Sequence, residues 1–405
     1  MVWENSTNLI LLWYALIVAL CAFFVLKFTK TKKVSNLRFI IQIAAVVAIF
    51  MGLLVGPFND PFYQALGVSP RERLIGKDLL GNQLPDGLPV PVLACYIPNG
   101  RTVTCPLWEI QAYIFPFWDA GQIGYDVFYS TSGLEKLAIV FGMLIGSSIL
   151  LGRFFCGWLC PFGLYMDLIT KIRNAFKIGH KSLSEKTNKI LRQFRFVLIA
   201  ALLILSFIFG SYQILGTELI PGTIPGGPFG TESGIVGFIN EPYCLICPMR
   251  PLSILTQSAL GFLNFQYISQ ITYGPLFIAG HYLTSINVSL FILITVLSFT
   301  YRRFWCRICA LGGLLDLFST HAPFNKIALT RLNKNEAKCT KCGICKRVCP
   351  TQVTEVYNKK GGDVTTPGCT LCLRCVEMCP EKGALSVKLG PKTVYKSKNW
   401  LAQKE

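Results

Sequence analysis

The chain carries two related stretches near its C-terminal end, CTKCGICKRVCP at residues 339–350 and CTLCLRCVEMCP at residues 369–380. Each follows the spacing C-x2-C-x2-C-x3-C-P, which is typical of a loop that wraps a [4Fe–4S] cluster while its fourth cysteine ligates the other cluster. The expected ligands of the first cluster are Cys339, Cys342, Cys345 and Cys379. Those of the second cluster are Cys369, Cys372, Cys375 and Cys349. Because such clusters transfer single electrons, the motifs predict an electron-transfer protein.

The composition predicts a membrane protein with a more polar tail. Of the 405 residues, 52% are hydrophobic and 15% are charged, which is unusually apolar for a soluble chain. Apolar stretches long enough to cross a hydrocarbon layer of about 30 Å as helices lie at residues 9–26, 39–55, 136–151, 196–215 and 286–300. We therefore expect an all-α bundle of about five transmembrane helices, followed by a small α+β ferredoxin-like domain with two [4Fe–4S] clusters.

The charge distribution predicts an orientation for this bundle. Basic residues cluster after the first, third and fifth apolar stretches, whereas acidic residues are more frequent at 56–135 and 216–285. Since short cytoplasmic loops collect lysine and arginine, the N-terminus is expected outside and the C-terminus inside, at a cytoplasmic membrane. The expected parts are a transmembrane domain at 1–325 with outer loops at 56–135 and 216–285, a cytoplasmic ferredoxin-like domain at 326–390 and a basic tail at 391–405.

The formal net charge of +18 does not indicate a nucleic-acid-binding protein. The basic residues follow the ends of the apolar stretches and do not form one patch interleaved with aromatic residues, so anionic lipid headgroups explain them better. Further lysines and arginines surround the cysteines of the tail. They predict either an acidic redox partner or contact with anionic lipid, and the sequence favours neither.

Two further cysteine pairs lie in an internal repeat. Residues 153–168 read RFFCGWLCPFGLYMDL, and residues 303–317 read RFWCRICALGGLLDL. A repeat that preserves cysteines, an aromatic residue before them and an Asp-Leu after them predicts two related elements that face each other. The four thiols that would then converge are Cys156, Cys160, Cys306 and Cys309. An inner Fe–S cluster is the favoured interpretation, zinc is its main competitor, and a metal-free redox-active thiol set is the third.

At these residues the chain resembles the NapH/NosR family of membrane polyferredoxins, which includes the CcoG-like proteins. The resemblance covers about residues 136–386 and rests on the two repeat elements together with the two tail motifs. It implies a redox subunit that carries electrons between the quinone pool or a cytoplasmic donor and an extracytoplasmic metalloenzyme. The second element departs from the family pattern, because Cys306-x2-Cys309-Ala310 stands where the family has Cys-x3-Cys-Pro.

Four more cysteines lie in the two segments that are expected to be outer loops: Cys95, Cys105, Cys244 and Cys247. They predict an outer cluster, which would shorten the electron-tunnelling steps across the membrane. The competing interpretation is a disulfide between Cys95 and Cys105 in an oxidising compartment, with Cys244 and Cys247 paired separately. Cys21, within an apolar stretch, is expected to be a packed small hydrophobe.

Other chemistry has little support in the sequence. The three histidines, His180, His281 and His321, include no obvious pair of haem ligands, and no phosphate-binding glycine motif occurs. A quinone needs only an apolar cleft and one or two polar groups, so a quinone site stays open. Asp167 and Asp316 repeat with the cysteines; helix capping or pairing with nearby basic residues is favoured over a proton relay.

These features predict a membrane iron–sulfur subunit that conducts electrons between a cytoplasmic or quinol donor and an extracytoplasmic redox partner. We expect it to act within an oxidoreductase complex similar to a quinol dehydrogenase, with membrane lipid around it and partner subunits on both faces. The sequence does not fix the direction of electron flow. The alternative, which the CcoG-like resemblance implies, is a membrane metal-ion reductase or metalloenzyme assembly factor.

Overall fold

The computed structural model describes residues 33–50, 91–93, 105–107, 110–111, 131–214, 242–259, 272–273, 278–279, 285–321 and 323–398. The chain divides into two compact units. One unit combines residues 16–46, 144–197 and 295–405, and it contains the cysteine repeat and both tail motifs. The other combines residues 1–15, 47–143 and 198–294.

The prediction of about five membrane-spanning helices, oriented with the N-terminus outside, is wrong for the described part of the chain. Its longer helices are α1 (Lys33–Phe50), α2 (Thr131–Leu151), α5 (Glu185–Ile214) and α8 (Ser285–Thr300). None of the described helices combines the length and the apolar content that a membrane crossing requires. The first predicted span, at residues 9–26, lies outside the described residues.

The sequence-based spans fail because hydropathy counts apolar residues without regard to helix length or to polar contacts. Helix α8 has 16 residues, which corresponds to about 24 Å at 1.5 Å per residue, short of an apolar layer of about 30 Å. Helix α5 begins with charged residues, among them the buried Arg195. In α1, the buried Gln42 donates a hydrogen bond from its side-chain amide to the carbonyl oxygen of Gly157.

Each copy of the internal repeat forms a short helical turn, a cysteine and then a longer helix. The first copy forms α3 (Phe154–Trp158) and α4 (Pro161–Ala175). The second forms a 3-10 helix (Trp305–Arg307) and α9 (Ala310–Thr320). Pro161 occupies the first turn of α4, where its missing N–H costs no helical hydrogen bond. The residue before each longer helix is a cysteine of the repeat.

The tail folds as a four-stranded antiparallel sheet with short helices on it. The strand order is β4-β3-β5-β6, built from β3 (Thr330–Lys334), β4 (Gly362–Asp363), β5 (Leu385–Leu389) and β6 (Lys392–Lys396). Thr330 lies opposite Leu389, and Lys334 lies opposite Leu385. The helices are α10 (Ile344–Val348), α11 (Glu355–Asn358) and α12 (Arg374–Glu377).

A compact apolar core holds the cysteine loops of the tail to this sheet. Its buried side chains are Leu332, Val353, Val356, Val364, Leu371, Val376, Leu385 and Val387. Burying a valine or leucine side chain contributes about 1.5–3 kcal/mol. Five cysteines of the tail motifs pack against this core, as does Phe154 of α3. The core therefore joins the tail to the repeat as well as folding the tail itself.

In the other unit, two short segments meet around a buried glutamine. They are residues 105–107 with 110–111, and the start of α6 (Pro242–Ile246), which precedes α7 (Met249–Ala259). The side-chain oxygen of Gln111 accepts a hydrogen bond of 2.9 Å from the N–H of Tyr243, and its amide donates to the carbonyl of Leu107. A two-residue ribbon, β1 (Thr272–Tyr273) with β2 (Ile278–Ala279), belongs to the same unit.

Candidate iron–sulfur centres

The two tail loops share an unusual backbone conformation. In the first loop, Lys341 and Gly343 flank Cys342 with φ of 54° and 73°. In the second, Leu371 and Leu373 have φ of 45° and 59° at the equivalent positions. For residues other than glycine, this left-handed conformation costs about 1–3 kcal/mol, so packing against the surrounding core must stabilise it. Alternation of right- and left-handed residues turns successive N–H groups to one side, as in the anion-binding nests of Fe–S sites.

Each loop lines a cavity that the fourth cysteine of the other motif completes. The first cavity is lined by Cys339, Cys342, Cys345 and Cys379. The second is lined by Cys349, Cys369, Cys372 and Cys375. This is the exchange of fourth cysteines that the motif spacing predicts, and the ligand assignment itself stays a prediction. Cys345 and Val356 line both cavities, so the two sites share a wall.

The second cavity is a poor environment for free thiolates. Burial raises the pKa of the Cys369 and Cys375 thiols, and neighbouring thiolates raise it further. One compensating contact is a hydrogen bond of 3.2 Å from the N–H of Val353 to Cys349 Sγ. Thiolates in such a site are stabilised by bound cationic iron, and metal binding releases their protons.

The cysteines of each tail site line one cavity with apolar walls. Within the ranges that the structure covers, no group of three Cys, His, Asp or Glu side chains could hold a single metal ion. Four cysteines per cavity, the backbone nests and the apolar walls thus all fit a [4Fe–4S] cluster in each.

The two repeat copies place their second cysteines in the same conformation although their spacing differs. Cys160 has φ −66° and ψ 120°, and Cys309 has φ −61° and ψ 122°; each is the N-cap of the helix that follows. The N–H of Cys160 bonds to the carbonyl of Phe155, five residues earlier, whereas that of Cys309 bonds to Trp305, four residues earlier. A wider turn therefore absorbs the extra residue of the first copy, and the second cysteine of each copy keeps the same backbone conformation despite the different spacing.

All four cysteines of the repeat are buried. Burial raises the pKa of the Cys309 thiol, and thiolates at Cys156 and Cys306 raise it further. The N–H of Gly312 donates to Cys309 Sγ at 3.4 Å. Cysteines of the two copies therefore influence each other, and the joint ligand set of Cys156, Cys160, Cys306 and Cys309 stays a prediction.

An arginine of the second repeat copy pairs with an aspartate of the first copy. Arg303 is fully buried and forms a two-pronged ion pair with Asp167, with nitrogen–oxygen distances of 2.9 and 2.6 Å. It also donates to the carbonyl oxygen of Cys156 at 3.3 Å. Arg38 of α1 adds a second ion pair to Asp167 at 3.2 Å. Burial alone would raise the pKa of Asp167, but Arg303 and Arg38 outweigh burial and hold that pKa well below its usual range.

An arginine of the first copy makes the equivalent contacts to an aspartate and a cysteine carbonyl of the second copy. Arg153, also buried, pairs with Asp316 at 3.0 Å and donates to the carbonyl oxygen of Cys306 at 3.1 Å. Arg195 of α5 supplies a second ion pair to Asp316 at 2.5 Å. Each aspartate therefore pairs with the arginine of the opposite copy and with one arginine from outside the repeat. This confirms the favoured expectation that both aspartates pair with basic residues.

Buried positive charge exceeds buried carboxylate charge next to the repeat cysteines. Arg307 is fully buried between the side chains of Asn188 and Gln352, which accept from it at 2.8 Å each. Burial lowers its pKa to about 10, and thiolates at Cys306 and Cys349 act against that shift. Buried charges need compensation. A thiolate-ligated cluster, which carries net negative charge, supplies compensation for this excess.

The repeat and the second tail loop touch through their backbones. Gly157 lies between Cys156 and Cys160, and a Cβ atom added there would lie only 2.3 Å from the carbonyl oxygen of Thr370, between Cys369 and Cys372. The indole N–H of Trp158 donates to the carbonyl of Leu371 at 3.0 Å. The N–H of Gly368 donates to Asp316 at 2.9 Å. Cysteine-bearing loops of the two sites are therefore in direct contact.

The candidate outer site is described only in part. Cys105, Cys244 and Cys247 are buried, and the contact between Gln111 and Tyr243 holds the segments that carry them together. Cys95 lies outside the described residues. The outer cluster and the competing disulfide both stay predictions.

The sequence analysis did not predict the contacts of the buried arginines with the two aspartates or the close approach at Gly157. The signal for Arg153 and Arg303 was present, since each begins its repeat copy and each copy contains an aspartate fourteen or thirteen residues later. Their exchange between copies, by contrast, is a property of the packing. Nothing in the local sequence marked Gly157 as the point where the tail approaches.

Comparison with known proteins supports iron–sulfur chemistry in both regions. A family model described as a 4Fe-4S binding domain matches twice, at residues 137–179 and 286–326, and so covers both repeat copies. A model described as a 4Fe-4S dicluster domain matches residues 331–380. The chain thus carries multiple [4Fe–4S] clusters, and these matches support iron–sulfur electron transfer.

The relatives have modest identity. The electron transport protein YccM of Escherichia coli is 26% identical over 60% of this chain and 53% of its own length. The ferredoxin-type protein NapH of the same organism is 24% identical over 56% of this chain and 60% of its own length. The uncharacterized protein MJ0749 of Methanocaldococcus jannaschii is 24% identical over 73% of this chain and 89% of its own length. These matches confirm the resemblance to NapH-like polyferredoxins; the chain spans about half of YccM. No solved structure matches the chain.

Proposed function

We propose that the chain is a linear electron relay with a fixed order of sites. The order runs from the first tail site (Cys339, Cys342, Cys345, Cys379) to the second (Cys349, Cys369, Cys372, Cys375) and then to the repeat site (Cys156, Cys160, Cys306, Cys309). The observation that carries this proposal is the backbone contact between Gly157 and Thr370. It joins the second tail loop to the repeat, while the shared wall at Cys345 and Val356 joins the two tail sites.

Exposure supports the same order. Cys342 of the first loop is exposed, whereas Thr370 and Leu371 of the second loop are buried beside α3. A site open to solvent suits exchange with a partner, and a covered site suits transfer within the chain.

The protein residues have supporting roles in this relay. A [4Fe–4S] cluster supplies reversible one-electron chemistry at each site. The left-handed residues shape the cysteine loops as in the anion-binding nests of Fe–S sites, and the apolar core packs against the cysteines. The exchanged arginines place positive charge beside the repeat cysteines, which favours the reduced, more negative state of that site.

Iron and sulfide analysis of the purified full chain tests the number of sites. We expect about twelve iron atoms if three sites fill and about sixteen if the outer cysteines hold a fourth. About eight iron atoms, unchanged in a Cys306→Ser variant, would contradict the repeat site. Zinc at the repeat in place of iron would also contradict it.

We further propose that the relay works at a membrane, between a cytoplasmic or quinol donor and a redox partner on the outer face. The support is an apolar stripe on α5, where Ile190, Phe194, Val197 and Ile204 are 50–63% exposed and follow helical spacing. Exposed apolar patches mark contacts with membranes or with other proteins. Flotation of the chain with lipid vesicles, and its loss in a Phe194→Ser/Val197→Ser variant, tests the location. Quinol oxidation by the purified chain tests the donor.

A further inference from the structure

The first tail site opens onto a surface rich in exposed lysines. We define the lysine rim as the following exposed residues of the loop and its neighbours: Lys338, Lys341, Lys346, Lys360 and Lys382. Lys338 and Lys346 border the loop of three cysteines, and Lys341 lies inside it. The side chain of Lys341 is 67% exposed.

The remaining two rim lysines come from other segments that fold against this loop. Gly361 follows Lys360, and a Cβ atom added to this glycine would lie 3.5 Å from the Cβ of Glu336. Gly383 follows Lys382, and a Cβ atom added there would lie 3.7 Å from Nζ of Lys338. The rim is therefore assembled by the fold from three separate segments.

The rim keeps a positive balance. Glu336 pairs with Lys334 at 3.5 Å and with Lys341 at 3.4 Å. Lys334 is buried, and its ammonium donates to the carbonyls of Tyr357 and Lys359, so we do not count it as part of the exposed rim. Glu381 also lines the cavity, so the five rim lysines stand against two nearby carboxylates, of which Glu336 is already engaged by lysines. Cys342, next to Lys341 in the loop, is the exposed cysteine of this site.

From this arrangement we propose that the lysine rim is the docking surface for a small acidic electron-carrier protein, which exchanges one electron with the chain at the Cys342 loop. The proposal rests on the proposed function, because it assumes that the tail sites transfer electrons. When the carrier is the donor, it loses one electron and the first tail site gains it. No covalent bond forms or breaks in this step.

An anionic lipid surface fits the rim less well. The exposed apolar side chains of the tail that would enter a lipid surface include Ile327, Leu329 and Leu389. They lie at the opposite end of the sheet, where the N–H of Gly390 bonds to the carbonyl of Leu329. The lysine rim offers charge without such apolar neighbours in its loop, as suits transient contact with a charged protein.

The test compares two triple charge reversals in the full, iron-loaded chain. The rim variant is Lys338→Glu/Lys360→Glu/Lys382→Glu. The matched control is Lys326→Glu/Lys388→Glu/Lys392→Glu, at the opposite end of β3 and β5. Rapid mixing with a reduced, acidic plant-type ferredoxin measures the second-order rate constant of cluster reduction. Rapid mixing with the methyl viologen radical gives the rate for a small reductant that needs no docking surface.

We expect the rim variant to lose at least about tenfold in rate with ferredoxin at low ionic strength, with the loss shrinking as salt is added. The control variant should keep the wild-type rate within about twofold, and neither variant should react more slowly with methyl viologen. Equal ferredoxin rates in the rim and control variants would overturn the proposal. So would loss of binding to anionic vesicles in the rim variant with an unchanged ferredoxin rate, which would assign the rim to lipid. Failure of methyl viologen to reduce the wild-type chain would instead contradict the proposed electron-transfer function.

Discussion

At the residue scale, a missing side chain sets the distance between two sites. Gly157 allows the loop of Cys156 and Cys160 to meet the carbonyl of Thr370 directly. Electron tunnelling weakens steeply with distance, so a close approach of two cysteine loops matters more than the strength of the contact. The neighbouring indole of Trp158 fixes the approach through its bond to Leu371.

We predict that Gly157→Ala separates these two sites. The added Cβ would lie 2.3 Å from Thr370 O, and since that neighbour is backbone, one of the loops must shift. The tail clusters should still assemble, while reduction of the repeat site through the tail slows by at least about tenfold. Freeze-quench EPR, following the order in which the sites become reduced, measures this effect.

Gly146→Ala is the matched control, because an added Cβ there has no neighbour within 4 Å. In a helix this change stabilises by about 0.5–1 kcal/mol and should leave electron transfer unchanged. An unaltered reduction order and rate in Gly157→Ala would show that the contact is not part of the relay.

At the element scale, two copies of one short element stabilise each other by exchange. Each copy contributes an arginine that pairs with the aspartate of the other and donates to a cysteine carbonyl there. In these bonds the arginine of each copy pairs with the aspartate of the other copy and not with its own, so the two copies depend on each other. The sequence repeat predicted two facing elements, but not which arginine pairs with which aspartate.

We predict that Asp167→Asn is strongly destabilising. It leaves the buried Arg303 and Arg38 without their carboxylate, and removing one partner of a buried ion pair typically costs about 3–5 kcal/mol. The variant should lose cluster absorbance at a lower temperature than the wild type. Thermal scans of absorbance and circular dichroism measure the shift.

Asp363→Asn is the control for this prediction. Asp363 pairs with Arg331 at 3.6 Å, and both side chains are at least one-third exposed, so the pair contributes at most about 1 kcal/mol. The side-chain oxygen of the introduced asparagine can keep the hydrogen bond that Asp363 accepts from the N–H of Thr365. A shift in Asp167→Asn no larger than in this control would contradict a structural role for the exchange.

At the scale of the whole molecule, the sites differ in their access to solvent. The first tail site presents the exposed Cys342, whereas α3 covers the loop of the second, and the repeat cysteines are all buried. The gradient of burial follows the proposed order of the relay. Solvent access is thus a property of how the tail packs on the repeat.

We predict that a water-soluble iron chelator removes iron in steps that follow this gradient. About four iron atoms should leave first, and their loss should abolish the signal that a Cys342→Ser variant also lacks. The later phase belongs to the covered sites. Release with a single rate constant, or initial loss of the signal that depends on Cys372, would contradict the gradient. Unfolded protein, in which all sites are accessible, provides the reference rate.

The sequence anticipated the chemistry better than the architecture. The tail spacing predicted the exchange of Cys349 and Cys379 between loops, and both cysteines line the expected cavities. The interpretation of apolar stretches as five spans was wrong for the described chain, because a hydropathy sum ignores helix length and contacts such as that of Gln42 with Gly157. The assignment of Cys95, Cys105, Cys244 and Cys247 stays a prediction.

The sequence by itself determined what the chain holds, because ligand spacing along a loop is a local property that backbone geometry converts directly into a cluster site. Only the tertiary structure decided how the sites connect. The contact of Gly157 with Thr370, the exchange of Arg153 and Arg303 and the assembly of the lysine rim join residues that are far apart in the chain. Such contacts depend on the packing of whole elements, which no local pattern of residues encodes.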